Sequence, residues 1–152
     1  MFDILLASVY NKWVFYRGVI VRNLTTEKYK LLSLDDLGKT NTSVVECVGR
    51  LIELDEPTTY SIKLVLSELV INGFIHGNNK TNEINLEVSV DPDESIVELL
   101  IDDGGEGFDV EHSVKEPNVD SEQGRGLILV RAFSHDVVYN NIGNKVKATI
   151  RI

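Results

Sequence analysis

Cys47 is the only cysteine in this chain of 152 residues, so no internal disulfide framework can hold it together. Proline is nearly as scarce: Pro57, Pro92 and Pro117 are the whole set, each where a turn fits. No apolar run approaches the ~20 residues that a membrane-spanning helix needs. Asp3 interrupts the apolar opening Met1-Phe2-Asp3-Ile4-Leu5-Leu6, where a secretory signal would carry basic residues. Positive charge is in deficit, with 15 Lys and Arg against 24 Asp and Glu and a net charge of -9. Such a surface repels a phosphate backbone, which disfavours nucleic acid and leaves protein partners. Repeats, low-complexity tracts and linkers rich in Pro, Gly or Ser are missing as well. What is present, 43% hydrophobic and 26% charged residues, is the composition of one folded domain able to bury a core. The expectation is a soluble, cytoplasmic protein that binds neither membrane nor nucleic acid.

The pattern of apolar residues divides the chain into elements. Val14 to Leu24 reads as one or two short strands. Leu34, Leu37, Val44, Val48, Leu51 and Ile52 fall at helical spacing, with Ser33 and Asp36 able to cap the start. Cys47 lies in this helix and reads as a packed, reduced thiol. A second helix covers about Thr59 to His76, with Ile62, Val65, Leu66, Leu69 and Gly73 as its stripe. Ile84, Leu86, Val88 and Val90 alternate with polar residues, Asp91 to Glu94 turn, and Ser95 to Asp102 return as a hairpin. A polar, glycine-rich stretch then leads to a short helix, Leu127 to Phe133. A last hairpin turns near Asn141 to Asn144 and ends with Val146, Ala148, Ile150 and Ile152 on one face. Helices in separate blocks from antiparallel hairpins predict a two-layer α+β sandwich.

Three segments carry chemistry. Glu68, Asn72 and His76 are spaced four apart and form a polar row along the second helix, beside its apolar stripe. An amphipathic exposed face explains such a row equally simply. Yet a carboxylate and an amide oxygen are hard ligands suited to Mg²⁺, and the carboxylate can serve instead as a general base. In the second segment, Asp102-Asp103-Gly104-Gly105-Glu106-Gly107-Phe108, Asp103 shares a strand face with Val97, Leu99 and Ile101. A carboxylate at the rim of an apolar pocket can accept a hydrogen bond from an amino group on a flat heterocycle. The third segment, Gly124-Arg125-Gly126-Leu127, opens a helix whose N–H groups suit an anion, with Arg125 as a forked cation. It is neither the dinucleotide fingerprint nor a P-loop. The polar run Glu111 to Gln123 before it is long enough to form a mobile lid.

In this order the segments resemble the boxes of the histidine-kinase-like (GHKL, Bergerat-fold) ATPases. Ser67-Glu68-Leu69-Val70-Ile71-Asn72-Gly73-Phe74-Ile75-His76-Gly77-Asn78 is similar to the N-box, Asp103-Gly104-Gly105-Glu106-Gly107 to the first glycine box, and Gly124-Arg125-Gly126-Leu127 to the second. The ending from His135 to Val146 resembles the closing hairpin of one branch, the bacterial anti-sigma-factor serine/threonine kinases. The likeness covers residues 22–152 and leaves 1–21 outside as a segment that either packs on the domain or mediates a homodimer.

The resemblance implies a mixed, mostly antiparallel sheet covered by helices on one face. It implies ATP and Mg²⁺ as ligands, with Asn72 on the metal and Glu68 as the base acting on the attacking hydroxyl. Asp103 would hold the adenine amino group, while Gly105 and Gly107 would shape the base pocket and the lid hinge. Gly124, Gly126 and the start of Leu127 would present N–H groups to phosphate, with Arg125 near the γ-phosphate. His76 takes the last N-box position, where nucleotide binding and helix-end packing are both open. Two departures stand out: Gly73 replaces a common Ala, and Gly143-Asn144 replaces a Gly-Thr pair whose Thr lies near adenine. The implied function is a kinase that phosphorylates a STAS-domain antagonist and sequesters a sigma factor. The alternative is a nucleotide-gated binding switch without phosphotransfer.

Overall fold

The computed structural model describes residues 15–16, 19–20, 24–77, 83–107 and 122–152. Two short strands, β1 (Phe15–Tyr16) and β2 (Val19–Ile20), pair with each other, as the β-branched and aromatic run before Leu24 predicts. The main sheet comprises β3 (Thr25–Leu31), β4 (Ile84–Asp91), β5 (Ile96–Asp102), β6 (Asp136–Tyr139) and β7 (Lys145–Arg151). Its spatial order is β3-β4-β5-β7-β6, and every ladder among the described residues is antiparallel.

Among the described residues three α-helices accompany the sheet: α1 (Leu37–Gly49), α2 (Glu56–His76) and α3 (Glu122–Phe133). A 3-10 turn, Leu34–Asp36, leads into α1. Ser33 and Asp36 form the expected reciprocal cap there: Ser33 Oγ accepts from Asp35 N at 3.2 Å, and Asp36 Oδ2 accepts from Ser33 N at 3.2 Å. Helix α2 begins three residues before the expected start at Thr59. Asp55 Oδ1 accepts from Thr58 N at 2.8 Å, and Pro57 sits in the first turn, where its missing N–H costs nothing.

Alternation in the strands decides which face is inside. Leu86, Val88, Val97, Leu99, Ile101, Val146, Ala148 and Ile150 are all buried and form one cluster with Ile62, Val65, Leu66, Leu69 and Val70 of α2. Burying each such side chain contributes about 1.5–3 kcal/mol, so the central helix is held to the sheet mainly by this stripe. The opposite sheet face is polar and carries cross-strand ion pairs, Lys28–Glu87 at 3.1 Å, Lys147–Glu98 at 2.9 Å and Lys145–Asp102 at 2.9 Å. Helix α2 packs against both α1 and α3. Among the described residues the helices lie on one face of the sheet, the two-layer α+β sandwich that the hairpin and helix blocks predict. Among the described residues no helix is long and apolar enough to cross a membrane.

Candidate functional site

The site grows from the end of β5. Asp103 follows Asp102, the last residue of that strand, and its N–H donates to the Asn144 carbonyl at 3.1 Å, prolonging the β5–β7 ladder by one pair. Its side chain lies on the helix side of the sheet, against the last turn of α2. A Cβ placed on Gly77 would come 2.9 Å from Asp103 Cβ and 3.0 Å from its Cγ, and would strike the Gly73 carbonyl oxygen. A Cβ on Gly73 would meet Ile84 Cδ1 at 2.7 Å and Asp103 Cβ at 3.5 Å. Gly77 leaves the room that the Asp103 carboxylate occupies, with Gly73 beside it at ordinary contact distance. Gly105 N donates to Asp103 Oδ1 at 2.8 Å. Burial pushes the Asp103 pKa up, the Gly105 N–H pulls it down, and the neighbouring Asp102 charge raises it again.

A second cluster forms where α3 crosses α2. Gly126 is buried in the first turns of α3, and a Cβ placed there would lie 2.5 Å from Glu68 Oε2 and 3.8 Å from Asn72 Nδ2. The backbone of the second glycine segment therefore rests directly on the carboxylate and the amide that the four-residue spacing put on one face. Glu68 and Asn72 are half-buried, and a carboxylate with an amide oxygen one turn away offers hard oxygen donors beside backbone N–H groups. No group of three His, Cys, Asp or Glu able to hold a metal occurs among the described residues. A donor set of this kind fits Mg²⁺, which takes one or two protein ligands and completes its shell with water and phosphate oxygens. Glu68 lies about two turns before the end of α2 and Asp103 packs against that end, at Gly73 and Gly77, so both carboxylates line the last turns of one helix.

The other predicted residues take their places around this axis. His76 is the last residue of α2, exposed, and desolvation holds its imidazole below the ordinary range. Gly124, exposed Arg125 and half-buried Leu127 all lie inside α3, which starts at Glu122, five residues earlier than the apolar pattern indicates. Gly105 is buried, while Gly107 has φ of 82° and faces the Ile142 carbonyl with no room for a side chain. Only glycine meets both conditions there. Of the expected lid, Glu111 to Gln123, residues 111–121 lie outside the described residues.

Sequence reading overlooked three contributors. Gly77 has no role in the N-box resemblance, yet its lack of a side chain leaves the room that Asp103 occupies. Asn144 Nδ2 donates to the Gly105 carbonyl at 2.9 Å, and Asn140 Nδ2 donates to Asn144 Oδ1 at 2.7 Å. The departure from Gly-Thr at 143–144 marked the position but not its contact, because the partner lies 39 residues earlier in the chain.

A recess bearing a carboxylate, glycine-rich loops on a hairpin, and a helix start packed on a second carboxylate define a nucleotide-binding α+β domain. Comparison with family models agrees: the histidine kinase-like ATPase domain matches residues 33–150, most of the chain, and the protein belongs to that family. Its general class is therefore an ATP-using domain, and the fold is the one the ordered boxes imply. A search of curated proteins found no match.

Proposed function

We propose that this protein is an ATP-dependent serine/threonine kinase of the anti-sigma-factor type. It phosphorylates a STAS-domain antagonist and, when that antagonist is phosphorylated, sequesters a sigma factor in the cytoplasm. One observation carries the reading: two carboxylates line the last turns of α2, Asp103 at Gly73 and Gly77 and Glu68 farther back, with the backbone of α3 resting on the second. That arrangement suits a nucleoside triphosphate lying along the helix, base at Asp103 and terminal phosphate beside Glu68. Asp103 accepts from the adenine amino group, and Gly77 lets its carboxylate pack closely against the end of α2.

The first turn of α3 directs N–H groups and the Arg125 guanidinium at the phosphates. Glu68 takes the proton from a partner's Ser or Thr hydroxyl. That oxygen then forms a bond to the γ-phosphorus while the bond from phosphorus to the β–γ bridging oxygen breaks, leaving ADP. Asn72 would hold Mg²⁺, which when bound neutralises phosphate charge. The closing-hairpin resemblance supports the anti-sigma branch, and the acidic surface supports protein partners.

The test is incubation with γ-labelled ATP, Mg²⁺ and candidate STAS-domain proteins. Labelled serine or threonine on a partner is the expected result. If no partner is labelled, yet ATP changes which partner the protein holds, the chain is a nucleotide-gated binding switch.

A further inference from the structure

We infer that Asn144 is a positioning residue for base recognition: its side-chain amide fastens the Gly105 peptide and, through it, aims the Asp103 carboxylate. The inference rests on the adenine reading of Asp103.

The connections run in one direction without a break. Lys145 N donates to Asn140 Oδ1 at 3.0 Å, Asn140 Nδ2 to Asn144 Oδ1 at 2.7 Å, Asn144 Nδ2 to the Gly105 carbonyl at 2.9 Å, and Gly105 N to Asp103 Oδ1 at 2.8 Å. The Asn140 contact fixes which way the Asn144 amide is turned, since only its nitrogen can then face Gly105. Gly105 is held from both sides, its N–H by Asp103 and its C=O by Asn144. Asp103 is likewise held at two points, its N–H by the Asn144 carbonyl and its Oδ1 by Gly105, and Oδ2 is the oxygen assigned to an amino group.

The hairpin that supplies Asn144 is itself closed by Asn140 N to the Lys145 carbonyl at 3.0 Å and Gly143 N to the Asn140 carbonyl at 3.1 Å. It touches the same loop again where Gly107 meets Ile142. The tip between β6 and β7 therefore serves as the rigid support of the Asp103–Gly107 loop. Few side chains can do this. The position needs an acceptor for Asn140 and a donor for Gly105 on one planar group of this length. Asp lacks the donor, Thr is shorter, and Ala has neither.

The experiment compares Mg-ATP with Mg-ITP, whose base lacks the 6-amino group, by calorimetric titration of four proteins: wild type, Asn144→Ala, Asp103→Asn and the double variant. Amide exchange at Gly105 is followed in the nucleotide-free proteins. Asn144→Ala is expected to quicken Gly105 exchange and to weaken ATP about 3–10-fold, the worth of one positioned hydrogen bond. ITP affinity stays near wild type, and the loss for ATP largely vanishes in the Asp103→Asn background, because the two residues act as one unit. Asn144→Asp, which keeps size and acceptor but not the donor, behaves as Asn144→Ala does. Equal losses for ATP and ITP, additive losses in the double variant, or unchanged ATP affinity would overturn the inference. Unchanged Gly105 exchange would overturn the clamp itself. If wild type does not prefer ATP to ITP while Gly105 exchange still quickens, the adenine reading falls alone and the clamp survives.

Discussion

Gly126 lies so close to Glu68 that a methyl group on its Cα would stand 2.5 Å from the Glu68 Oε2 atom. The obstacle is the far end of a flexible side chain, so the cheapest accommodation is for Glu68 to swing away. Alanine is also the better helix former by about 1 kcal/mol. Gly126→Ala should therefore fold with stability within about 1 kcal/mol of wild type. Phosphotransfer should fall by at least tenfold, because the base has left its place. Thermal melting beside a transfer assay checks this; unimpaired transfer would separate Glu68 from the chemistry.

Glu68→Gln and Asn72→Ala should fail in different ways. Glutamine keeps the size of Glu68 but cannot take a proton, so transfer should drop ~10²–10⁴-fold with little change in nucleotide affinity. Loss of the Asn72 amide oxygen should weaken binding of Mg-ATP as well as turnover, and more so when Mg²⁺ is limiting. Titration of each variant with ATP at several Mg²⁺ concentrations, beside single-turnover transfer, separates the two.

Asp103 should trade stability for recognition. Its pKa in the folded protein lies above the ordinary 3.8, with burial as the main cause. The folded state then binds this proton more tightly than the unfolded chain. Its contribution is most favourable below 3.8 and declines as pH rises to the raised value, and the cost persists at pH 7. Asp103→Asn should thus raise the melting temperature of the nucleotide-free protein at neutral pH, a gain that disappears in acid. The same change should weaken ATP binding by about 1–3 kcal/mol. Wild-type affinity for ATP should also decline as pH falls through the raised pKa, since the protonated carboxyl is a poorer acceptor. A variant both less stable and weaker in binding would point to a structural role.

Cys47 should be chemically silent in the native protein. It is 1% exposed, and burial first, then the Glu27 charge, pushes its thiol up to about 11. Glu27 also accepts from Tyr29 Oη at 2.6 Å and pairs with Arg50 at 2.7 Å, so the thiol sits beneath an occupied carboxylate. A maleimide reagent should leave the folded protein unlabelled at pH 7 and label it fully in denaturant. Rapid native labelling would mean that α1 opens from the sheet.

Much of this arrangement is legible in local sequence, and the losses have definite causes. Strand alternation assigns Val146, Ala148 and Ile150 inward because a period of two allows no other face to be buried. Ser33 and Asp36 announce their turn because both capping partners lie within three residues. Helix α2 starts earlier than its apolar stripe because Asp55 and Pro57, sufficient start signals in themselves, precede the first buried residue, Ile62. Helix α3 starts earlier than predicted because Gly124 and Gly126 weaken the helical pattern, while packing of that backbone on Glu68 and Asn72 favours it. The N-box row is readable as a row, but that Gly126 covers it depends on contact between α2 and α3, which no local pattern encodes.

Asn72 stands directly before Gly73, and α2 holds both. In an open chain this dipeptide is the one most prone to age: the glycine nitrogen attacks the side-chain amide, ammonia leaves, and the ring that results reopens to aspartate or its isomer. Helical geometry commits that N–H to the preceding turn and keeps the nitrogen from reaching the amide carbon. The folded protein therefore protects its own amide, and every excursion of α2 into the unfolded state exposes Asn72 to irreversible conversion. Prolonged unfolding should convert Asn72 while the folded protein keeps it intact, so anything that keeps α2 folded preserves the amide on which the site depends.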